Sequence, residues 1–446
     1  MKKPKTRRLK FWPAMLSAVA VGGLASAQTN SVAPTDVNND YLKQLLQRLD
    51  QQEAEIKDLK SKVATTSNQI EDQIGAASSA PKYPNLQFHG FADLDYQAST
   101  RQGIPNASGV NYLPQASHGG DSFYEGELDL YMQSQLAEDL SALSETSVSS
   151  AVTSGNGSPG RAGYPGNNAC QIDIERLELS WKPSEYFNVD VGRFHTTLGY
   201  YNTAYHHGTW FQNAVGRPFF LEFEDSGGLL PVHTVGISMH GAIPSGSLNL
   251  SYFLEVGNGE QYNNAGNNPV QNEVDGNFDK AVNFGFFAKP DWLPGVQFGV
   301  GAYHDTQSPL LVNASNVQVP VPNTDEWIWN ASCVYHSSLW ELLSEGYLVR
   351  HEEPGATAHY TPMYYVQASR KFGIITPYAR FTYVNGSEDD IIYTQILTQG
   401  GRDYGPSLGI RYDFATYVAL KAQYDYVVQT GYSSANELTL QAAFAF

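Results

Sequence analysis

Leu438-Thr439-Leu440-Gln441-Ala442-Ala443-Phe444-Ala445-Phe446 closes the chain, alternating apolar with small or polar side chains and ending on an aromatic residue. Successive side chains of an extended strand point to opposite faces, so this stretch offers one face to lipid and the other to a wetter interior. The same alternation recurs from residue 85 to residue 446, through connections that are alternately short and long. A closed transmembrane β-barrel has that rhythm, because one rim carries tight turns and the other carries loops.

Turn signals divide the region into strands at 86–98, 123–136, 140–151, 172–182, 186–194, 232–242, 248–256 and 281–289. Eight more follow at 296–305, 326–336, 339–350, 359–372, 374–384, 407–414, 417–428 and 436–446. Pro183-Ser184, Pro244-Ser245-Gly246 and Gly373 make tight turns, and stretches dense in Gly, Asn and Ser make the loops between. The expected fold class is therefore all-β, a transmembrane antiparallel barrel of about 16 strands with both ends on the short-turn rim. A barrel of that size encloses water, where eight strands would be filled by side chains.

The alternation also orients the charges. Tyr124, Leu128, Leu130 and Met132 share one face of their strand, and Glu125, Glu127 and Asp129 the other. Likewise Leu408, Ile410, Tyr412 and Phe414 oppose Arg411 and Asp413, and Val418, Leu420, Tyr424 and Tyr426 oppose Lys421, Gln423 and Asp425. Arg or Lys facing mid-bilayer lipid costs about 2–4 kcal/mol, so the charged rows face inward. The expected pore-lining residues are Asp93, Asp95, Glu125, Glu127, Asp129, Arg193, Arg380, Arg411 and Lys421. A soluble sandwich would reverse the faces, and it calls for neither the terminal Phe nor the alternating loop lengths.

Residues 1–27 read as a secretory signal: Lys2, Lys3, Lys5, Arg7, Arg8 and Lys10 precede an apolar stretch at 11–24 and a small-residue cleavage site, Ala25-Ser26-Ala27. Residues 28–40 read as a flexible N-terminus. In 41–74, Leu42, Leu45, Leu49, Gln52, Ile56, Leu59, Val63, Thr66, Ile70 and Gln73 step by three and four among charged residues without Pro or Gly. That heptad pattern predicts a coiled-coil oligomerisation helix, the alternative being one amphipathic helix on the barrel rim. Residues 75–84 read as a linker and 85–446 as the barrel. The expected location is a bacterial outer membrane with the coiled coil in the periplasm.

A net charge of −18 argues against nucleic acid as a partner and against a pore built to attract anions. The mean hydropathy of −0.35 does not contradict a membrane protein, since every second barrel residue faces water. Cys170 and Cys333 fall in different hairpins and are expected to be unlinked thiols, the alternative being a disulfide formed in an oxidising periplasm.

The connection at 195–231 differs from the others. It holds Tyr200, Tyr201, Tyr205, His206, His207, Trp210, Phe211, Arg217, Phe219, Phe220, Glu222, Phe223, Glu224 and Asp225. So much aromatic surface should not stay exposed. The loop is expected either to fold into the lumen, presenting Arg217 and the acidic run to solutes, or to cap the extracellular mouth. His206, His207, Arg217, Glu222, Glu224 and Asp225 are its candidate constriction residues. His195, His206 and His207 raise a metal reading, but adjacent residues diverge on a strand and no ligand-spacing motif is present, so a structural or solvated role is expected. Gly-x-Ser-x-Gly and P-loop patterns are absent, and nothing calls for an enzyme or a cofactor.

With its signal, its heptad prefix, its alternating strands and Phe446, the chain resembles the bacterial outer-membrane porins. Gly192-Arg193-Phe194-His195-Thr196-Thr197-Leu198-Gly199-Tyr200-Tyr201-Asn202 is similar to a segment of uncharacterised porin-like barrels. Among named groups it is most similar to the phosphate-selective porins and the porins with an N-terminal coiled coil. The resemblance implies homotrimers in outer-membrane lipid and passive diffusion of small hydrophilic solutes or ions. The basic ladder of the phosphate-selective group is missing, so a mixed-charge pore with a mild preference for cations or neutral solutes is expected. The competing readings are a barrel that mainly tethers the envelope through its stalk, and an envelope enzyme.

Overall fold

The computed structural model describes residues 83–100, 122–150, 170–224, 228–260, 272, 275–308, 311–312, 318–319, 322–390, 392–393 and 401–446, with Gln47 and Gln51. The signal segment, the flexible N-terminus and most of the linker lie outside the described residues. So does the heptad stretch apart from Gln47 and Gln51, both helical.

The strands are β1 (Asn85–Ser99), β2 (Ser122–Gln135), β3 (Leu140–Ser150), β4 (Cys170–Trp181), β5 (Asn188–His195), β6 (His233–Ile243), β7 (Leu250–Gly257), β8 (Ala281–Ala288) and β9 (Val296–Gln307). They continue with β10 (Leu311–Val312), β11 (Gln318–Val319), β12 (Thr324–His336), β13 (Trp340–Glu352), β14 (His359–Arg370), β15 (Ile375–Gly386), β16 (Gly401–Ala415), β17 (Val418–Val427) and β18 (Ala435–Ala445). β10 and β11 form a short antiparallel ribbon in the connection from β9 to β12. The other sixteen close into one antiparallel barrel in chain order, with β18 returning to β1. Phe446 completes the closure, exchanging both backbone hydrogen bonds with Gly90 at 2.9 Å.

The two faces separate as the alternation requires. Leu94, Met132, Leu408, Ile410, Leu438 and Leu440 are exposed on the outside, while Asp95, Asp129, Ser407, Lys421, Gln423 and Gln441 are buried within. Trp181, Phe187, Trp292, Trp340, Phe372 and Tyr417 are exposed beside the short turns, forming an aromatic girdle of the kind that sits at a membrane interface. Cys333 is a free, exposed thiol of β12. β16 starts at Gly401, earlier than its sequence implied, because Gly401-Arg402-Asp403-Tyr404-Gly405-Pro406 carries the residue types of a loop.

Strand β2 breaks the period. In the β1–β2 register Ala92 opposes Leu128 but Leu94 opposes Glu125, so Gly126 and Glu127 together answer Asp93. This β-bulge shifts the phase of β2 by one residue. Tyr124 now opposes the inward Asp95, and Glu125 is exposed beside Leu94 on the outer face. Glu125 is therefore not pore-lining. Gly126 permits the bulge: a Cβ there would meet Asp93 Oδ2 at 2.1 Å. A second irregularity, between Glu145 and Thr146 of β3, leaves Glu175 of β4 without a direct partner and buries its carboxylate in the lumen beside His207 and His233.

Candidate functional site

The connection between β5 and β6 folds into the barrel. Its apolar side packs on the inner wall, where Leu198, Tyr201, Phe219, Phe220 and Leu221 form one buried cluster with Ile328, Leu343, Tyr347, Met363 and Tyr365. The aromatic surface that looked untenable in water is thus covered inside the lumen.

Carboxylates hold the start of the loop. Glu255 accepts from the Thr197 N–H at 3.1 Å and from Asn283 Nδ2 at 2.7 Å. Glu345 accepts from the N–H groups of Tyr200 (2.6 Å) and Tyr201 (2.8 Å) and from the hydroxyls of Tyr347 (2.9 Å) and Tyr365 (2.6 Å). Gly199, at φ +78°, makes the approach possible, since a Cβ there would lie 2.0 Å from Glu345 Oε2.

Cations hold the tip. Arg411 Nη1 donates to the carbonyls of Trp210 (2.6 Å) and Gln212 (3.0 Å), and its Nε to Asp413 (2.8 Å). Lys421 Nζ donates to the carbonyls of Thr209 and, at 3.2 Å, Ala214. Arg380 Nη1 donates to Gly216 O at 3.0 Å. Three expected pore-lining cations therefore face inward, yet they clamp the loop backbone.

The remaining sequence-selected residues divide similarly. Asp93 accepts from the Glu127 N–H (2.8 Å) and Gln441 Nε2 (2.9 Å), and Asp95 and Asp129 are buried on the same wall. Arg193 is buried, with Nε on the Glu175 carbonyl at 3.1 Å, instead of edging a water column. Arg217 does not meet solutes. It is 5% exposed, donates to Leu221 O, His206 O (2.5 Å) and Asn202 Oδ1 (2.8 Å), and lies 4.6 Å from the Phe223 ring centroid. Its guanidinium cross-links the loop to itself. Glu222 is half-buried, and burial, partly offset by Arg217, pushes its carboxyl up to about 7. Asp225 lies outside the described residues.

His206 and His207 sit in a turn, not on a strand, and their rings converge instead of diverging. His206 Nε2 lies 2.8 Å from His233 Nε2, and Glu175 Oε2 lies 2.8 Å from His233 Nε2 and 3.1 Å from His207 Nε2. These four ligand atoms fall within 4.8 Å of one another, a set able to hold a metal ion. Asn202 Oδ1 meets His206 Nδ1 at 2.8 Å, and Glu224 Oε2 meets His233 Nδ1 at 2.9 Å. His195 stacks on His206 with ring centroids 3.4 Å apart. Burial holds the His206 imidazole well below its ordinary pKa. Burial also opposes charge on His207, but Asp129, Glu175 and Glu127 outweigh it and raise that pKa well above normal. Sequence reading missed Glu175 and His233 because they stand on different strands, with no spacing relation to the His pair.

Two neighbouring cavities open beside this cluster. One of about 710 Å³ is bounded by His89, Tyr131, His206, His207, Phe211 and Phe446. The other, about 520 Å³, is bounded by Glu178, Glu185, Asp190, His240 and Glu255, and both share Arg176, His195 and Thr203.

No protein-family profile matches the sequence, and no curated protein sequence matches it. Solved structures do. The outer membrane channel DcaP of Acinetobacter baumannii superimposes with a TM-score of 0.51 and 10% identity, over 81% of this chain and 97% of that one. The anion-selective porin from Comamonas acidovorans gives 0.50 and 12%, over 81% and 100%. Salmonella typhi OmpF, in complex with daunomycin, gives 0.50 and 11%, over 81% and 98%. The likeness is one of fold: this chain has the closed sixteen-strand barrel of the bacterial outer-membrane porins. It does not single out the phosphate-selective group.

Proposed function

We propose that the protein is an outer-membrane channel for passive diffusion of small hydrophilic solutes or ions, without strong anion selectivity. The observation that carries this reading is a barrel with an apolar outer face and a polar interior, narrowed by an inserted loop. The cations that could attract anions are tied to loop carbonyls. The cavity on the short-turn side presents Glu178, Glu185 and Asp190, while its one arginine, Arg176, is paired with Glu145. Focused negative potential in such a space favours cations over anions. Likeness of fold to DcaP and the porins supports the same reading.

The rest of the chain extends it. Residues 1–27 direct export, and residues 41–74 form a periplasmic coiled coil that holds three copies together. Purified protein in planar bilayers across a KCl gradient tests the proposal. Stepwise conductance with a cation-favouring reversal potential is expected. An anion-favouring potential overturns the selectivity, and absence of steady conductance overturns the channel.

A further inference from the structure

We propose that Glu175, His206, His207 and His233 bind one divalent transition-metal ion of the zinc type, which clasps the inserted loop to the barrel wall. Two ligands come from the loop and two from the wall strands β4 and β6. The inference stands on the barrel's geometry and not on the channel reading.

Hydrogen-bond accounting points to a cation. Asn202 Nδ2 donates to Thr196 O (2.9 Å) and Val232 O (2.8 Å), and its Oδ1 accepts from Arg217, so the amide orientation is fixed. Its Oδ1 therefore accepts from His206 Nδ1–H. Glu224 accepts from the Val232 and His233 N–H groups and, in the same way, from His233 Nδ1–H. A charged His233 would place its Nε2 proton toward Glu175 Oε2, 2.8 Å away; with both imidazoles neutral, unprotonated Nε2 atoms face each other 2.8 Å apart. Two lone pairs at that distance repel unless a positive centre lies between them. Glu175 Oε2 and His207 Nε2 are buried beside them, and neither makes an aligned hydrogen bond. A proton would join two of these atoms, whereas a metal ion joins all four.

The surroundings are those of a ligand shell. Metal-bound histidines characteristically hand their other nitrogen to a carboxylate or carbonyl oxygen, as His206 and His233 do here. On the third imidazole, Nδ1 lies 3.5 Å from Glu127 and 3.6 Å from Asp129. Zinc–nitrogen bonds of about 2.0–2.1 Å in a tetrahedral site separate ligand atoms by about 3.3 Å, so the Nε2 pair need open by only about half an ångström. Imidazole with one carboxylate suits zinc, and also nickel, cobalt or copper. His351 gives the contrast: Asp390 (2.7 Å) and Glu326 (2.6 Å) occupy both its nitrogens, leaving none for a metal. The roughly 710 Å³ cavity reaches His206 and His207 and supplies an entry path.

The test uses full-length protein without a polyhistidine tag, purified in detergent and stripped with chelator. Titration with Zn2+ by calorimetry should saturate at one ion per chain with submicromolar Kd. Co2+ should give four-coordinate d–d absorption that Zn2+ abolishes. His233→Ala and His206→Ala should weaken binding at least about 100-fold, Glu224→Gln about 10–100-fold, and His240→Ala not at all. Absence of saturable one-to-one binding by the native chain overturns the proposal, as does undiminished binding in folded His233→Ala. Should a variant fail to fold, the native isotherm alone decides.

Discussion

The inserted loop is held differently at its two ends. Its start meets carboxylates and imidazoles: Glu255 and Glu345 take its N–H groups, and His206 and His207 join Glu175 and His233. Its tip meets cations, with Arg380, Arg411 and Lys421 binding the carbonyls of residues 209–216. Carbonyl oxygens exist at every residue, so the tip clamp tolerates changes in loop sequence. The start depends on named side chains in fixed directions, and single substitutions there should cost most.

Glu345 is the sharpest case. Glu345→Ala leaves the buried Tyr365 hydroxyl and two N–H groups without their acceptor, while the Tyr347 hydroxyl keeps Leu198 O, at a cost of about 3–5 kcal/mol. The loop start should detach, and chymotrypsin should then cleave after Tyr201, which the native fold buries. Protection of Tyr201 in folded Glu345→Ala would erase the distinction between the two ends. At the tip, Arg411→Ala removes charge-assisted bonds worth about 2 kcal/mol. Single-channel recordings should show larger open-state noise and a reversal potential moved toward the cation limit, with Tyr201 still protected.

Glu222 follows the tip in the chain and lies near Arg217, Glu127 and Arg380. Its carboxyl is raised from 4.5 to about 7 in the folded loop, so the inserted state holds the proton more tightly than a released loop does. Insertion therefore weakens as pH rises from about 4.5 to about 7, and then levels off. Conductance noise should rise across that window in the native protein and stay flat in Glu222→Gln.

How much of this was legible depends on where each signal is written. Strand alternation lies in the sequence itself, so all sixteen barrel strands and the inward rows of Arg411 and Lys421 could be read from it. The cation clamp could not, because the carbonyls it grips have no sequence signature. The histidine cluster was half visible: His206 and His207 stood out, but the turn that converges them and their partners Glu175 and His233 are products of the fold. Arg217 misled because a lone arginine among aromatics reads equally as a solute contact or as a buried cross-link.

The bulge in β2 shows the same limit at its smallest scale. Nothing in Tyr124-Glu125-Gly126-Glu127 fixes where the period slips, yet one inserted residue exchanges the faces of Tyr124 and Glu125. With Cys170→Ser and Cys333→Ser as background, cysteine at 124 should react with a water-soluble thiol reagent entering through the lumen. Cysteine at 125 should react instead with a membrane-partitioned reagent. Glu125→Gln should leave the reversal potential within error of the native value, because its carboxylate faces away from the interior. The opposite labelling pattern would restore unbroken alternation in β2 and return Glu125 to the pore.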